Sequence, residues 1–298
     1  MELEVKEQKG EVARRIRRRR INYEPYLLLL PSTIFLLVFF GWPMVRAIGL
    51  AFTDQGGVTL QHVERMTNDI GFQQAIRNTF ILIIAIIPLQ FILALIMALI
   101  VNSGIRGAGA LIYFYALPIA ISDLAAGIVW FSIFTENGYL NTVLTGLGLL
   151  ERPFIFLNIQ TSWPLIAVII AEVWRATSIV FVILVAGLQG IPKEYDEAAA
   201  IFGADWFTRL RKVTLPLLRP SIQVALILRT ILAFQVFAVV IALTGGNLRV
   251  LALEAFRWYS TLRNTPVAAA YATLILIVSL GIALVYLRTL SVQKEQLG

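Results

Sequence analysis

The chain has 298 residues, of which 58% are hydrophobic and only 14% charged, with a net charge of +7. Soluble domains carry about 25% charged residues, so there is too little charge here to coat a water-facing surface. A mean hydropathy of +0.79, with several runs of about twenty apolar residues, predicts a polytopic membrane protein.

Residues 1–24 form a basic tail holding Lys6, Lys9, Arg14, Arg15 and the run Arg17 to Arg20. No small-residue cleavage site follows a short apolar core, so the tail is not read as a signal peptide. It is read as a cytoplasmic anchor, not a nucleic-acid-binding arm. Six membrane helices follow. The first is predicted from Tyr26 to Phe52, with Pro31 near its start and Trp42-Pro43 near its exit. The second spans Phe80 to Val101 with a kink expected at Pro88. The third and fourth span Gly109 to Phe134 and Trp163 to Leu188, and the last two Ser221 to Leu243 and Val267 to Leu290. The membrane domain covers residues 25–291, leaving 292–298 as a short tail.

Lysine and arginine set the orientation, because positively charged loops stay cytoplasmic. With the tail inside, cytoplasmic segments hold sixteen of the 25 basic residues and outer segments six; Arg46, Arg175 and Arg229 lie within apolar spans. Both termini are therefore predicted to be cytoplasmic. Connecting segments of about 20–30 residues are too short for a soluble domain, so any energy source is expected on another polypeptide.

Several chemistries are absent from the sequence. With no cysteine and one histidine, His62, the chain has no disulfide framework, thiolate metal site or histidine cluster. No lysine is followed by Ser or Thr, so there is no phosphate-binding G-x-x-x-x-G-K-[ST] loop, and neither G-x-S-x-G nor H-E-x-x-H occurs. The chain is predicted not to be an enzyme.

Two polar features stand out from this apolar background. The first is the cytoplasmic segment from Gly190 to Pro216. Pro192 suits a helix's first turn, Glu194, Asp196 and Glu197 sit near the positive helix N-terminus, and Gly203 suits a left-handed C-terminal cap. Ala198, Ala199 and Ala200 keep the short helix slim enough for another backbone to approach. The second is a set of polar residues inside the spans. Glu172 and Arg175 are three apart on the fourth helix and share a face, and Arg229 lies well inside the fifth. A charge at a helix centre costs about 2.5–3.5 kcal/mol, so these groups should face one another, a partner helix or a water-filled path. Two roles remain open: they line a path and hydrogen-bond solute hydroxyls, or they pair internally and pin the helices. Asp123, Gln90 and Gln235 are weaker candidates, and Trp174 and Trp130 are the aromatic residues to consider for a cavity.

The first feature carries a resemblance. Glu197-Ala198-Ala199, Gly203, Val213 and Leu215-Pro216 match the spacing of the signature loop of ABC importer permeases. Leu30-Pro31, Asn78-Thr79, Pro88-Leu89-Gln90, Glu172-Val173-Trp174-Arg175, Arg229-Thr230 and Leu243-Thr244-Gly245-Gly246 extend the likeness to the carbohydrate branch, as its MalF-like member of a heterodimeric permease pair. Where many members are acidic before Ala-Phe and after Val-Phe, this chain has Leu232 and Ala238.

The resemblance implies an all-α type I importer permease with six transmembrane helices and a coupling helix. Tyr195, Glu197, Ala198, Ala199, Gly203, Leu215 and Pro216 would then serve coupling to an ATPase. Glu172, Arg175, Ala176, Ile179, Arg229 and Ala233 would fall on the substrate path, to which the reading of the residues themselves adds Asp123, Trp174 and Gln235 as weaker candidates. It implies no cofactor on this chain, with ATP and magnesium held by two partner ATPase subunits. A second permease, an extracytoplasmic solute-binding protein and membrane lipid complete the expected partners. The expected cargo is a mono- or oligosaccharide, with a polyol or glycerol-phosphate as the alternative. A gradient-driven secondary transporter is the rival reading. It would call for an inverted repeat with paired broken helices, which is not evident.

Overall fold

A computed structural model describes residues 23–289 and is almost wholly helical. The basic tail, residues 292–298 and the predicted helix end at Leu290 lie outside the described residues. Contacts divide the chain into two units, Met1–Gly49 and Leu50–Gly298. In the first, helix α1 (Glu24–Phe52) buries no described side chain before Ala51, which already belongs to the second unit. Its apolar residues are displayed all round. A π-helical turn, Leu37–Gly41, precedes Trp42-Pro43, and Phe35 and Phe39 pack ring on ring at 4.8 Å.

The second unit is built on α3 (Phe72–Asn102), α7 (Trp163–Gln189), α10 (Leu215–Phe234) and α13 (Thr265–Thr289). With α1, the described residues contain five helices long and apolar enough to cross a bilayer, or six if a bent pair counts as one span. α3 and α7 form the largest packing interface, and α10 packs on both α7 and α13. Two apolar clusters form along the α3–α7 interface. Leu82 and Ile86 meet Val168 and Ala171 in one, and Ala94 and Ala98 meet Val180 and Leu184 in the other. Small residues bring helices close in a membrane, where lipid supplies no hydrophobic drive between them. At Gly187 a Cβ would sit 2.2 Å from Ser221 Oγ and 2.6 Å from its Cβ, so glycine sets the α7–α10 approach.

Two predicted spans are interrupted. The third splits into α4 (Ala108–Ala116), a 3₁₀ turn (Leu117–Ala120) and α5 (Asp123–Phe134). The pair is bent by 98°. Ile121 is extended, and Ser122 restarts the helix by accepting a hydrogen bond from the Ala125 amide at 3.2 Å. The fifth starts earlier than predicted, at Leu215, and stops at Phe234; after Gln235–Phe237 the chain resumes as α11 (Ala238–Thr244). No proline or glycine marks that second break. Beyond it α11 packs against α5 and α7. The second helix begins at Phe72, eight residues earlier than predicted, and continues through Pro88 as one segment.

Short elements complete the unit: a hairpin of β1 (Thr53–Asp54) and β2 (Gly57–Val58), α2 (Gln61–Thr67), α6 (Tyr139–Gly146) and α12 (Leu251–Ser260). His62 lies 3.3 Å from the Thr53 carbonyl. Asn141, 1% exposed, ties α6 to the following loop by donating to Phe154 O and accepting from Phe154 N, at 2.8 and 2.9 Å.

Candidate functional site

Gln90, Asp123, Glu172, Arg175 and Arg229 come from four helices and meet in one continuous polar chain. On α3 and α7 this chain lies between the two apolar clusters, so helix periodicity turns these side chains inward. Glu172 is its centre. Its Oε2 accepts from Arg229 Nη2 at 2.9 Å and from Arg175 Nη2 at 3.2 Å. Arg229 Nε donates to Gln90 Oε1 at 2.6 Å, and Gln90 Nε2 donates to the Glu172 backbone carbonyl at 2.8 Å. Arg175 Nη1 reaches Asp123 Oδ1 at 2.8 Å.

Exposure grades along the chain. Gln90 and Arg229 are fully buried and Glu172 is 1% exposed, whereas the Arg175 side chain is 11% and that of Asp123 53% exposed. The cluster is thus closed at Gln90 and Arg229 and open at Asp123. Two arginines face two carboxylates, which is what permits four charges in an apolar bundle: an unpaired charge there is costly, whereas a paired and hydrogen-bonded one is tolerated. Arg229 Nη1 and Thr230 Oγ1 have no hydrogen-bond partner among the described residues.

The other path candidates fall on both sides of this gradient. Ala176 and Ala233 are buried, at 0% and 3% exposure, and contact neighbouring helices within this chain. Ile179 is half-buried, and Gln235 is exposed at the break after α10. Trp174 is 37% exposed, its ring set edge-on to Trp130 at 6.0 Å, and Trp130 stacks on Phe134 at 5.4 Å. Gln90, ranked low from the sequence, is the partner that closes the inner end.

The segment from Gly190 to Pro216 has the opposite character. Helix α8 (Lys193–Ile201) follows Pro192, and Gly203 has φ +78°, the left-handed cap its position predicts. The Ala204 amide donates to Ala199 O at 3.0 Å and that of Gly203 to Ala200 O at 2.9 Å, the paired closure of a Schellman end. Tyr195, Glu197, Ala198 and Ala200 are exposed. Beyond the cap, Asp205 accepts from the Thr208 amide and starts α9 (Trp206–Arg209). Hydrogen bonding from the Thr208 hydroxyl, helped by its amide, holds the Asp205 carboxyl below its ordinary value. Asp196 pairs with Arg209 at 2.6 Å and ties α8 to α9. Leu215 and Pro216 open α10 and are half-buried.

Sequence reasoning missed the apolar face of this loop. Ile201 is 85% exposed, Phe202 90%, Trp206 62% and Phe207 59%. The available signal was four large apolar residues within seven positions of a segment predicted from the charge pattern to be cytoplasmic.

A second polar cluster was also missed. Asp69, between α2 and α3, accepts from Arg257 Nη2 at 2.8 Å and Trp258 Nε1 at 2.9 Å. Buried Glu254 accepts from Arg257 Nε at 2.8 Å and Arg249 Nη1 at 3.2 Å. Burial pushes the Asp69 carboxyl up, but the Gly71 amide, the Trp258 indole and Arg257 outweigh it and hold the group below its ordinary value. The Glu254–Arg257 spacing within a helical pattern was the legible hint; Asp69 lies 188 residues away from Arg257.

With this geometry in view, residues 72–294 match the family model described as binding-protein-dependent transport system inner membrane component, and the chain belongs to that family. It is similar to the trehalose/maltose transport system permease protein MalF of Thermococcus litoralis, at 32% identity over 275 residues, covering 88% of this chain and 92% of that protein. The alpha-glucoside transport system permease protein AglF of Rhizobium meliloti is 32% identical over 263 residues, 84% and 76% of the two chains. The fold matches a chain of a bacterial ABC transporter involved in importing the acidic polysaccharide alginate, with a TM-score of 0.73 at 22% identity over 90% of this chain and 95% of that one. The protein is therefore a membrane permease component of the all-α importer type.

Proposed function

We propose that the chain is one of two homologous permease subunits of an ATP-driven importer and forms half of the translocation path for a mono- or oligosaccharide. The names of its relatives support the cargo class: trehalose/maltose, alpha-glucoside and lactose transport proteins each match more than four fifths of this chain. Both termini are cytoplasmic in this reading, as the basic-residue asymmetry requires. ATP and magnesium belong to two ATPase subunits, and a binding protein delivers solute from the outer side.

The single observation that carries the coupling role is the α8–Gly203–α9 loop. It is stiffened by its Schellman closure and the Asp196–Arg209 pair, and it presents Tyr195, Phe202, Trp206 and Phe207 to solvent. Exposed apolar patches of this kind mark protein interfaces. Nucleotide-driven closure of the ATPases would pull on this loop and shift the bundle between inward-open and outward-open states, each ligand working through its differential affinity for the two. Asp123 and Trp174 are exposed enough to meet the solute, and Arg175 reaches the same opening through its pair with Asp123. Glu172, Arg229 and Gln90 hold Arg175 in place from behind.

Affinity purification from membranes tests this reading. An ATPase and a second permease should co-purify, and reconstituted vesicles should take up a disaccharide such as maltose or trehalose only with ATP and a binding protein present. A solitary chain supporting ion-gradient-driven uptake would overturn it.

A further inference from the structure

We propose that Asp123 sets the charge selectivity of the path by neutralising Arg175. The wall this chain contributes then meets solutes as a net-neutral, hydrogen-bonding surface and not as an anion trap. The proposal rests on the reading that Asp123, Arg175 and Trp174 face the path.

The argument is one of charge matching along the polar chain. Glu172 is shared: Arg229, fully buried, takes its Oε2 at 2.9 Å, while Arg175 reaches both carboxylate oxygens at 3.2 Å. One carboxylate cannot neutralise two guanidinium groups. The second negative charge comes from Asp123, whose Oδ1 lies 2.8 Å from Arg175 Nη1. Arg229 has no exposed route to an alternative partner, so removing Asp123 leaves the excess positive charge at the open end, on Arg175.

The backbone adds to that charge. Asp123 is the first residue of α5, a twelve-residue helix whose N-terminus follows the Ile121–Ser122 break, and a helix N-terminus carries a partial positive charge of about half a unit. Without the carboxylate, a fixed guanidinium fork and a helix N-terminus would face the same opening, the geometry that binds carboxylates and phosphates bidentately. With it, the opening offers carboxylate oxygen and guanidinium N–H groups already engaged with each other, suited to sugar hydroxyls, which both donate and accept.

The chain contains no cysteine, so single thiols can be placed without background on this subunit. In the assembled transporter in proteoliposomes, Trp174→Cys is compared with the same variant carrying Asp123→Asn, and then Asp123→Asn with Arg175→Gln. Each is treated with negatively charged methanethiosulfonate ethylsulfonate or the positively charged ethyltrimethylammonium reagent, and labelling of this chain is followed by mass spectrometry. The ratio of anionic to cationic labelling rates should rise about 25-fold with Asp123→Asn, since one unit charge about 4 Å away in water speeds one reagent and slows the other about fivefold each, and return on adding Arg175→Gln. Asp123→Cys, which places the thiol at the exposed end itself, should show the same anion preference and lose it with Arg175→Gln. An unchanged ratio in both series overturns the selectivity role while leaving the path reading intact. Thiols at 174 and 123 that react with neither reagent overturn the path reading, and the proposal with it.

Discussion

Around Glu172 the protein buries charge, and around Gly203 it displays hydrophobic surface. The membrane cluster matches four charges, and three of its five residues are almost fully buried. The loop around Gly203 leaves Phe202 at 90% exposure and Ile201 at 85%. A region stable alone hides what its solvent rejects, and a region that waits for a partner does not. The contrast is between charge matched inside the bundle and apolar surface left uncovered on a loop.

The largest way to break the comparison is inside the bundle. Glu172→Ala leaves Arg229 buried without a counter-charge and should cost about 3–5 kcal/mol, read as loss of folded protein in a detergent thermal melt. The pair Glu172→Leu with Arg229→Leu should melt well above Glu172→Ala, because no uncompensated charge remains and Arg175 keeps Asp123.

The loop should behave oppositely. Phe202→Ala should leave the chain's own thermal stability within about 0.5 kcal/mol of the parent but weaken association with the ATPase subunits by about 1.5–3 kcal/mol, the scale of one buried large side chain. Dissociation measured on the purified complex checks this; an unchanged complex would remove Phe202 from the interface. Gly203 comes next. At φ +78° a side chain costs about 1–2 kcal/mol, so Gly203→Asp should insert normally yet stimulate ATP hydrolysis without matching uptake. Normal uptake would count against a coupling role.

The smallest effect belongs to the Asp69 cluster. The Asp69 carboxyl is held below its ordinary value of 3.8, so its contribution is complete above that value and disappears as pH falls through the lower, folded-state value. Asp69→Asn should remove about 0.2–1 kcal/mol at neutral pH and flatten the acid limb of the stability profile below about pH 4. The parent and variant should converge in strong acid.

The two regions were not equally legible. The loop could be read in detail because its determinants are local. Pro192 before a helix, a left-handed glycine at 203 and alanines at 198–200 act over one or two turns, and sequence spacing reports such distances directly. The cluster was legible only as a set of charges that needed partners. Arg229 meets Glu172 across 57 residues and Gln90 across 139, and no local pattern chooses between those partners and a solute.

The sequence by itself determined that the chain crosses a membrane, where most spans lie, and how the loop around Gly203 folds, because hydropathy and backbone propensity are properties of short segments. Tertiary structure decided the rest. It cut the span predicted from Ser221 to Leu243 at Gln235–Phe237, brought Asp69 to Arg257, and matched each buried arginine with a carboxylate. Those outcomes depend on which helix faces which, and in an apolar medium small residues and buried charges settle that choice through close packing and the high cost of a charge left unpaired.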